Sequence, residues 1–221
     1  ATERASCSGS HDMATREEVI KAYKDVPRVY AHLRATAISD VEKLGWSKVE
    51  WQQQNFQLLT DMLRDIHAPL PGLTLHDAGC GTGDLLAFLQ KTEQEPRHYV
   101  GTDFTDESLD IARQRFPSHA FMRCDLASDI TIPKTDVTLT LGTLAYHKPR
   151  VVEDILNRLW ERTTAVLAFN TWWQLDKGYV YAENIAALRK CVSRFLRNKQ
   201  VHQKLGVEYG QPTESLFVVY R

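Results

Sequence analysis

The sequence predicts a doubly wound α/β domain: a mostly parallel sheet with helices on both faces. Three observations predict it. From about residue 74 onward, short apolar runs of strand character alternate with amphipathic helical stretches, the pattern of βαβ units. A glycine-rich turn, Gly79 to Gly83, joins the first such run to the helix after it. The chain closes on two strand-like segments around Gly210-Gln211-Pro212, a link too short for a parallel crossover and suited to an antiparallel hairpin.

Taken in order, Thr15 to Arg34 has helical periodicity through Val19, Ile20, Tyr23, Val29, Tyr30 and Leu33, and Pro27 divides it in two. Ser47 to His67 reads as a cleaner helix, capped by Ser47, with Leu59, Met62, Leu63 and Ile66 on one stripe. The segment Ala68-Pro69-Leu70-Pro71-Gly72 stops it. Thr74 to Asp77 is a short strand ending in an acid, Asp84 to Lys91 a helix, and His98 to Thr102 a second strand. Thr105 is placed to cap the next helix, whose first turn holds Asp106 and Glu107, where the dipole favours negative charge. Ala120 to Cys124 and Val137 to Leu141 follow as strands. Val152, Ile155, Leu156 and Leu159 mark one face of a helix, and Ala165 to Asn170 is a fifth strand. Glu183 to Arg197 is a helix with Ile185, Leu188, Val192 and Phe195 inward; Leu205 to Tyr209 and Ser215 to Tyr220 are the closing strands.

Composition narrows the function. The 27 basic and 28 acidic side chains leave a net charge of -1, which gives no global attraction to nucleic acid. With 43% hydrophobic and 25% charged residues in 221, the chain is of ordinary globular type and of a length for one domain, neither disordered nor fibrous. No stretch approaches the ~20 apolar residues of a membrane span. Cys7, Cys80, Cys124 and Cys191 are scattered without a CxxC pair, so neither a metal site nor a disulfide framework is expected, and a cytoplasmic setting is. Ala1 to Asp12 reads as a tag remnant, with a natural start at Met13.

The informative stretch is Leu75-His76-Asp77-Ala78-Gly79-Cys80-Gly81-Thr82-Gly83-Asp84. Glycines at a strand-to-helix turn let the backbone bend tightly and approach a ligand with no Cβ in the way. About 20 residues on, Asp103 ends the next strand, where a carboxylate faces a ribose in open α/β sheets. The dinucleotide fingerprint GxGxxG fails, because Asp84 stands at its third glycine, and the Gly-Lys-Ser/Thr of a phosphate loop is absent.

The pattern Asp-x-Gly-x-Gly-x-Gly resembles motif I of the class I S-adenosylmethionine-dependent methyltransferases, and the order of elements extends the resemblance from about Leu75 to Arg221. The resemblance implies a seven-stranded sheet with an antiparallel last strand, S-adenosylmethionine as cofactor and S-adenosylhomocysteine as product. It implies that Asp77, Gly79, Cys80, Gly81 and Gly83 border the methionine part of the cofactor. Asp103 would hold the ribose, with Phe104 near the adenine. Asp125 and Leu126 match the place that meets the adenine amino group, and Gly142, in Leu141-Gly142-Thr143-Leu144, should flank the methionine end. Tyr23 and Tyr30 lie on N-terminal helices that in such enzymes cover the cofactor. One methyltransferase domain over 13–221 is then expected, a helical lid over 13–72 on a Rossmann-like core over 73–221.

The methyl acceptor is less legible. Tyr146 and His147 follow the fourth strand as candidate catalytic residues, since an imidazole can take a proton near neutrality. Asn170, Trp172 and Trp173 follow the fifth as candidate substrate contacts, because indole faces attract cations. Gly142-Thr143-Leu144-Ala145-Tyr146 replaces the Asn/Asp-Pro-Pro-Tyr/Phe of the methyltransferases that act on nucleobase or glutamine amino groups. The expected acceptor is therefore an N or O nucleophile of a small molecule in specialised metabolism, with nucleic acid and membrane not expected as partners and a homodimer left open. The rival expectations are an RNA or protein substrate, served by the basic run Arg189, Lys190, Arg194, Arg197, Lys199 and Lys204, and a non-catalytic cofactor-binding partner subunit.

Overall fold

The computed structural model describes residues 49–128, 132–144, 147–172, 185–205 and 214–221. The expected N-terminal helices, the Ser47 cap and the turn at Gly210-Gln211-Pro212 lie outside the described residues. Within them, α1 (Val49–Asp65) precedes β1 (Thr74–Ala78), α2 (Asp84–Lys91), β2 (His98–Asp103), α3 (Asp106–Arg115), β3 (Ala120–Arg123) and β4 (Thr135–Thr140). Then come α4 (Pro149–Arg162), β5 (Thr163–Trp172), α5 (Ile185–Leu196), β6 (Gln200–Leu205) and β7 (Glu214–Tyr220).

The strands form one seven-stranded sheet in the order β3-β2-β1-β4-β5-β7-β6. The first five run parallel, and β7 lies antiparallel to both its neighbours. Period-two alternation sends successive strand residues to opposite faces. On one face Leu75, Val137, Leu139, Val166, Ala168, Leu216 and Val218 meet Phe56, Leu59, Met62 and Leu63 of α1, Leu85, Leu86 and Leu89 of α2, and Leu109 and Ala112 of α3. On the other, Leu167, Phe169, Phe217 and Val219 meet Val152, Ile155, Leu156 and Leu159 of α4 and Val192 and Phe195 of α5. Each fully buried side chain of this kind stabilises the fold by about 1.5–3 kcal/mol before conformational entropy is set against it.

Two expectations are corrected. The penultimate strand begins earlier than expected, at Gln200, and is described as Gln200–Leu205; of the expected Leu205 to Tyr209 only Leu205 is described. It is a sheet edge, paired through Val201↔Val219, and its residues are mostly polar, so apolar alternation does not mark it. Thr105 does occupy the N-cap of α3, but its side chain makes no capping bond; its hydroxyl donates instead to Asp103 Oδ1 at 2.7 Å.

Candidate active site

The strand order reverses between β1 and β4, and in open α/β sheets the crevice beyond the carboxyl ends at that point is where ligands bind. The glycine loop leaves β1 there. The N–H groups of Gly79 and Cys80 both donate to the Thr102 carbonyl of β2, at 2.7 and 2.9 Å, prolonging the β1–β2 pairing into the loop. Gly79 has a φ of +87°, and a Cβ on it would stand 2.0 Å from Thr143 Oγ1 of the loop after β4. Left-handed backbone and contact with the neighbouring loop both demand glycine. Gly83, also left-handed at +83°, is the N-cap of α2.

Asp103, at the end of β2, reaches back to this loop. Its Oδ2 accepts the Gly81 N–H at 3.1 Å, and its Oδ1 accepts the Thr105 N–H at 2.9 Å as well as the Thr105 hydroxyl. Burial pushes the Asp103 carboxyl above its ordinary value, and these donors oppose the rise. Asp77, at the loop's other end, is more deeply placed. Its Oδ2 accepts the hydroxyl of Tyr99, a buried side chain of β2, at 2.7 Å. Burial pushes its pKa up to about 7; the Tyr99 bond lowers it, and the nearby Asp103 and Asp84 carboxylates raise it further. Three carboxylates thus crowd one glycine loop, an arrangement that a cationic ligand would relieve.

The loop is braced from outside. Arg115, in the last turn of α3, donates through Nη1 to the Thr82 carbonyl at 2.7 Å and to Asp84 Oδ1 at 2.6 Å. Asp84 Oδ2 also accepts from Gln52 of α1 at 3.4 Å. Cys80 is buried with its sulfur against Gly101, and burial holds its thiol well above the usual range, so it fills space as a neutral side chain.

After β3, Asp125 Oδ1 accepts the Ala127 N–H at 2.9 Å and closes its own turn. Arg158 of α4 donates to the carbonyls of Leu126 and Ser128, fixing that loop to the helix below it. Phe104 is half-buried beside Asp103, and its carbonyl accepts from Arg123 Nε at 3.3 Å. Across the reversal point, Gly142 N–H donates to Oδ1 of the fully buried Asn170 at 2.8 Å. Asn170 therefore ties the β4 exit to the β5 end. His147 is buried, and burial, with the Arg158 charge second, lowers its pKa to about 4, so its ring is neutral at physiological pH.

Asp77, Gly79, Cys80, Gly81, Gly83 and Asp103 are thus brought together, with Gly142 and Thr143 facing them from β4. Phe104, Asp125 and Leu126 stand along the same edge. Trp172 is the last residue of β5. Tyr23, Tyr30, Tyr146 and Trp173 lie outside the described residues. Sequence reasoning missed Tyr99 and Arg115. A tyrosine inside an otherwise buried strand was a usable sign of a polar partner; nothing local marked the arginine. Among the described residues, no group of three or more His, Cys, Asp and Glu is placed to hold a metal ion, and no helix is long and apolar enough to cross a membrane.

The "Methyltransferase domain" family model matches residues 76–167, which run from β1 into β5. No curated protein matches the chain. Among solved structures, magnesium protoporphyrin IX methyltransferase (ChlM) from Synechocystis PCC 6803 with bound SAH is 18% identical, with a TM-score of 0.59 over 94% of this chain and 100% of that one. The methyltransferase domain of bacterial CtHen1 is 16% identical, with a TM-score of 0.58 over 77% of this chain and 100% of that one. Ribosomal protein L11 methylase from Lactobacillus delbrueckii subsp. bulgaricus is 14% identical, with a TM-score of 0.52 over 77% of this chain and 79% of that one. At such identities the likeness is one of fold, shared by proteins whose names point to different acceptors.

Proposed function

We propose that this chain, which carries a class I S-adenosylmethionine-dependent methyltransferase domain, passes the cofactor's methyl group to an N or O nucleophile of a small molecule. The observation that carries the cofactor assignment is the coupling of Asp103 to the glycine loop through the Gly81 N–H, beside the buried carboxyl of Asp77. The residues fit the group. The buried carboxyl of Asp77 would be drawn to its anion by a sulfonium and an ammonium, Asp103 keeps lone pairs for ribose hydroxyls, and Gly79 leaves the backbone open. When bound, S-adenosylmethionine supplies an electrophilic methyl whose carbon–sulfur bond breaks as the nucleophile attacks in line, leaving a neutral thioether.

On this reading the chain's residues bind, align and exclude water. Asp103 receives the ribose hydroxyls on lone pairs that Thr105 and Gly81 leave open. Phe104, Leu126 and Asp125 border the adenine. Gly79, Gly81, Gly83 and Gly142 shape the methionine end, Cys80 packs beneath it, and Tyr23 and Tyr30 are assigned to its cover. Tyr146, His147, Asn170, Trp172 and Trp173 are assigned to the acceptor side. The burial that lowers the His147 pKa to about 4 opposes its taking a proton at neutral pH, so its ring is assigned to the acceptor side as a neutral hydrogen-bonding group, and Asn170 acts there through Gly142. The small-molecule acceptor rests on the near-neutral charge and on the sequence after β4.

A calorimetric titration with S-adenosylmethionine, S-adenosylhomocysteine and NADH tests the reading. Micromolar binding of the two adenosyl compounds and none of NADH is expected. Asp103→Ala should weaken both by about 2–3 kcal/mol, the scale of removing a charged hydrogen-bonding group. Unchanged affinity in that variant would sink the ribose assignment. Turnover of a small-molecule extract with labelled methyl donor, against RNA and protein fractions, tests the acceptor class.

A further inference from the structure

The proposed reading gives Asp77 to the methionine end of the cofactor but leaves Tyr99 without a role. Tyr99 is buried, its ring packed against Phe121 with centroids 5.8 Å apart. Its hydroxyl donates to Asp77 Oδ2 at 2.7 Å, from a position on β2 that faces the same side of the sheet. A tyrosine here costs more to bury than a phenylalanine unless that hydroxyl is paired, and Asp77 is the partner the structure gives it. The bond occupies one carboxylate oxygen. No hydrogen bond reaches Oδ1 of Asp77 among the described residues, so that oxygen is left to the ligand side.

We propose that Tyr99 is a positioning residue for the methyl-donor site: by holding Oδ2 of Asp77 it presents Oδ1 as an anionic acceptor to the cationic end of the cofactor. The assignment rests on the cofactor reading above. Four groups face Asp77 among the described residues. Tyr99 and Asp103 lie on β2, Asp84 opens α2, and Cys80 sits in the loop between; Asp84 carries Arg115 from α3. Two of these neighbours are like charges, and among the described residues the phenol is the group that lowers the Asp77 proton affinity. A cationic ligand needs the anion, so Tyr99 extends the pH range over which the site receives it.

The test is cofactor affinity by calorimetry from pH 5.5 to 8.5 in the wild-type protein, Tyr99→Phe, Asp77→Asn and the double variant, with circular dichroism as the check of folding. Wild-type affinity should rise with pH about a midpoint near 7. Tyr99→Phe, which removes a single oxygen, should have its midpoint moved up by about one pH unit, bind about fivefold more weakly at pH 7, and recover at pH 8.5. A merely structural hydroxyl would not give that recovery. Asp77→Asn should bind weakly at every pH, and adding Tyr99→Phe to it should change nothing further, so the cycle still decides if one single variant fails to fold. A wild-type protein that binds while Tyr99→Phe matches it at every pH overturns the Tyr99 role alone. A wild-type protein that binds neither adenosyl compound overturns the cofactor reading and this inference with it.

Discussion

Asp77 carries a charge in a place that resists it. Its folded pKa of about 7 lies above the ~3.9 of an unfolded aspartate. Between those values the folded protein keeps a proton that the unfolded chain has released. The unfolding free energy contributed by Asp77 is therefore whole at pH 4 and declines as pH rises through 7. His76 and His147 work in the opposite sense. Burial lowers their pKa values to about 3 and about 4, so their contributions are whole above pH 6.5 and decline as pH falls through the folded values. The two slopes overlap, and a single melting curve against pH would mix them. The difference between wild type and Asp77→Asn isolates the first. Asparagine can still accept the Tyr99 hydroxyl, so the variant should gain stability over wild type from pH 5 to 7 and level off above it, reaching on the order of 2–4 kcal/mol without cofactor. Urea unfolding at three pH values reads this directly, and parallel stabilities across the range would show that Asp77 is not raised. On the proposed function, Asp77 is costly without its ligand and useful with it, as a binding site requires.

Between elements, the loops after β1 and β4 are fitted to each other at one point. Thr143 Oγ1 lies 3.3 Å from the Ala78 carbonyl and occupies the space a Cβ on Gly79 would need. Gly79→Ala should cost at least about 2 kcal/mol, from left-handed strain and overpacking together. Adding Thr143→Ala should return only part of it, because the threonine Cβ itself would be 3.1 Å away and the backbone strain remains. Thermal unfolding of the single and double variants separates the two contributions; a Gly79→Ala protein as stable as wild type would show that neither operates. The glycine loop and Asp103 were legible because local backbone chemistry and a fixed β-α-β spacing announce them. The partners of the loop were not. Tyr99 lies 22 residues from Asp77, and Arg115 lies 31 from Asp84 and 33 from Thr82, pairings that only the folded sheet creates. Thr105 was read as a cap because the sequence shows its position but not the Asp103 carboxylate that competes for its hydroxyl. β6 went unread because Gln200, His202, Gln203 and Lys204 lack apolar alternation, and an edge strand needs little of it.

At the scale of the whole molecule, a run of charge in the sequence is not a patch of charge on the surface. Arg189 to Lys204 reads as six cations uninterrupted by an acid between Glu183 and Glu208. The fold supplies acids from elsewhere. Arg194 Nε donates to Glu153 of α4 at 2.8 Å, with Nη2 on the second carboxylate oxygen, and Lys204 stands 3.4 Å from Asp65 of α1. Lys199 lies over the Phe195 ring at 4.4 Å and donates to the Phe195 carbonyl. Arg194 and Glu153 therefore bind α5 to α4 in a half-buried, bidentate pair, whereas Arg197 is exposed. Arg194→Glu should destabilise by roughly 2–3 kcal/mol through the like charges it creates, and the exchange Glu153→Arg with Arg194→Glu should restore much of that. Arg197→Glu should stay within about 0.5 kcal/mol of wild type. The same variants weigh the two acceptor classes. With a small-molecule acceptor, Arg197→Glu and the charge exchange keep both cofactor affinity and turnover. An Arg197→Glu protein that binds cofactor as wild type does but no longer methylates would place a polyanion on this face, and the acceptor would then have to be sought among nucleic acids.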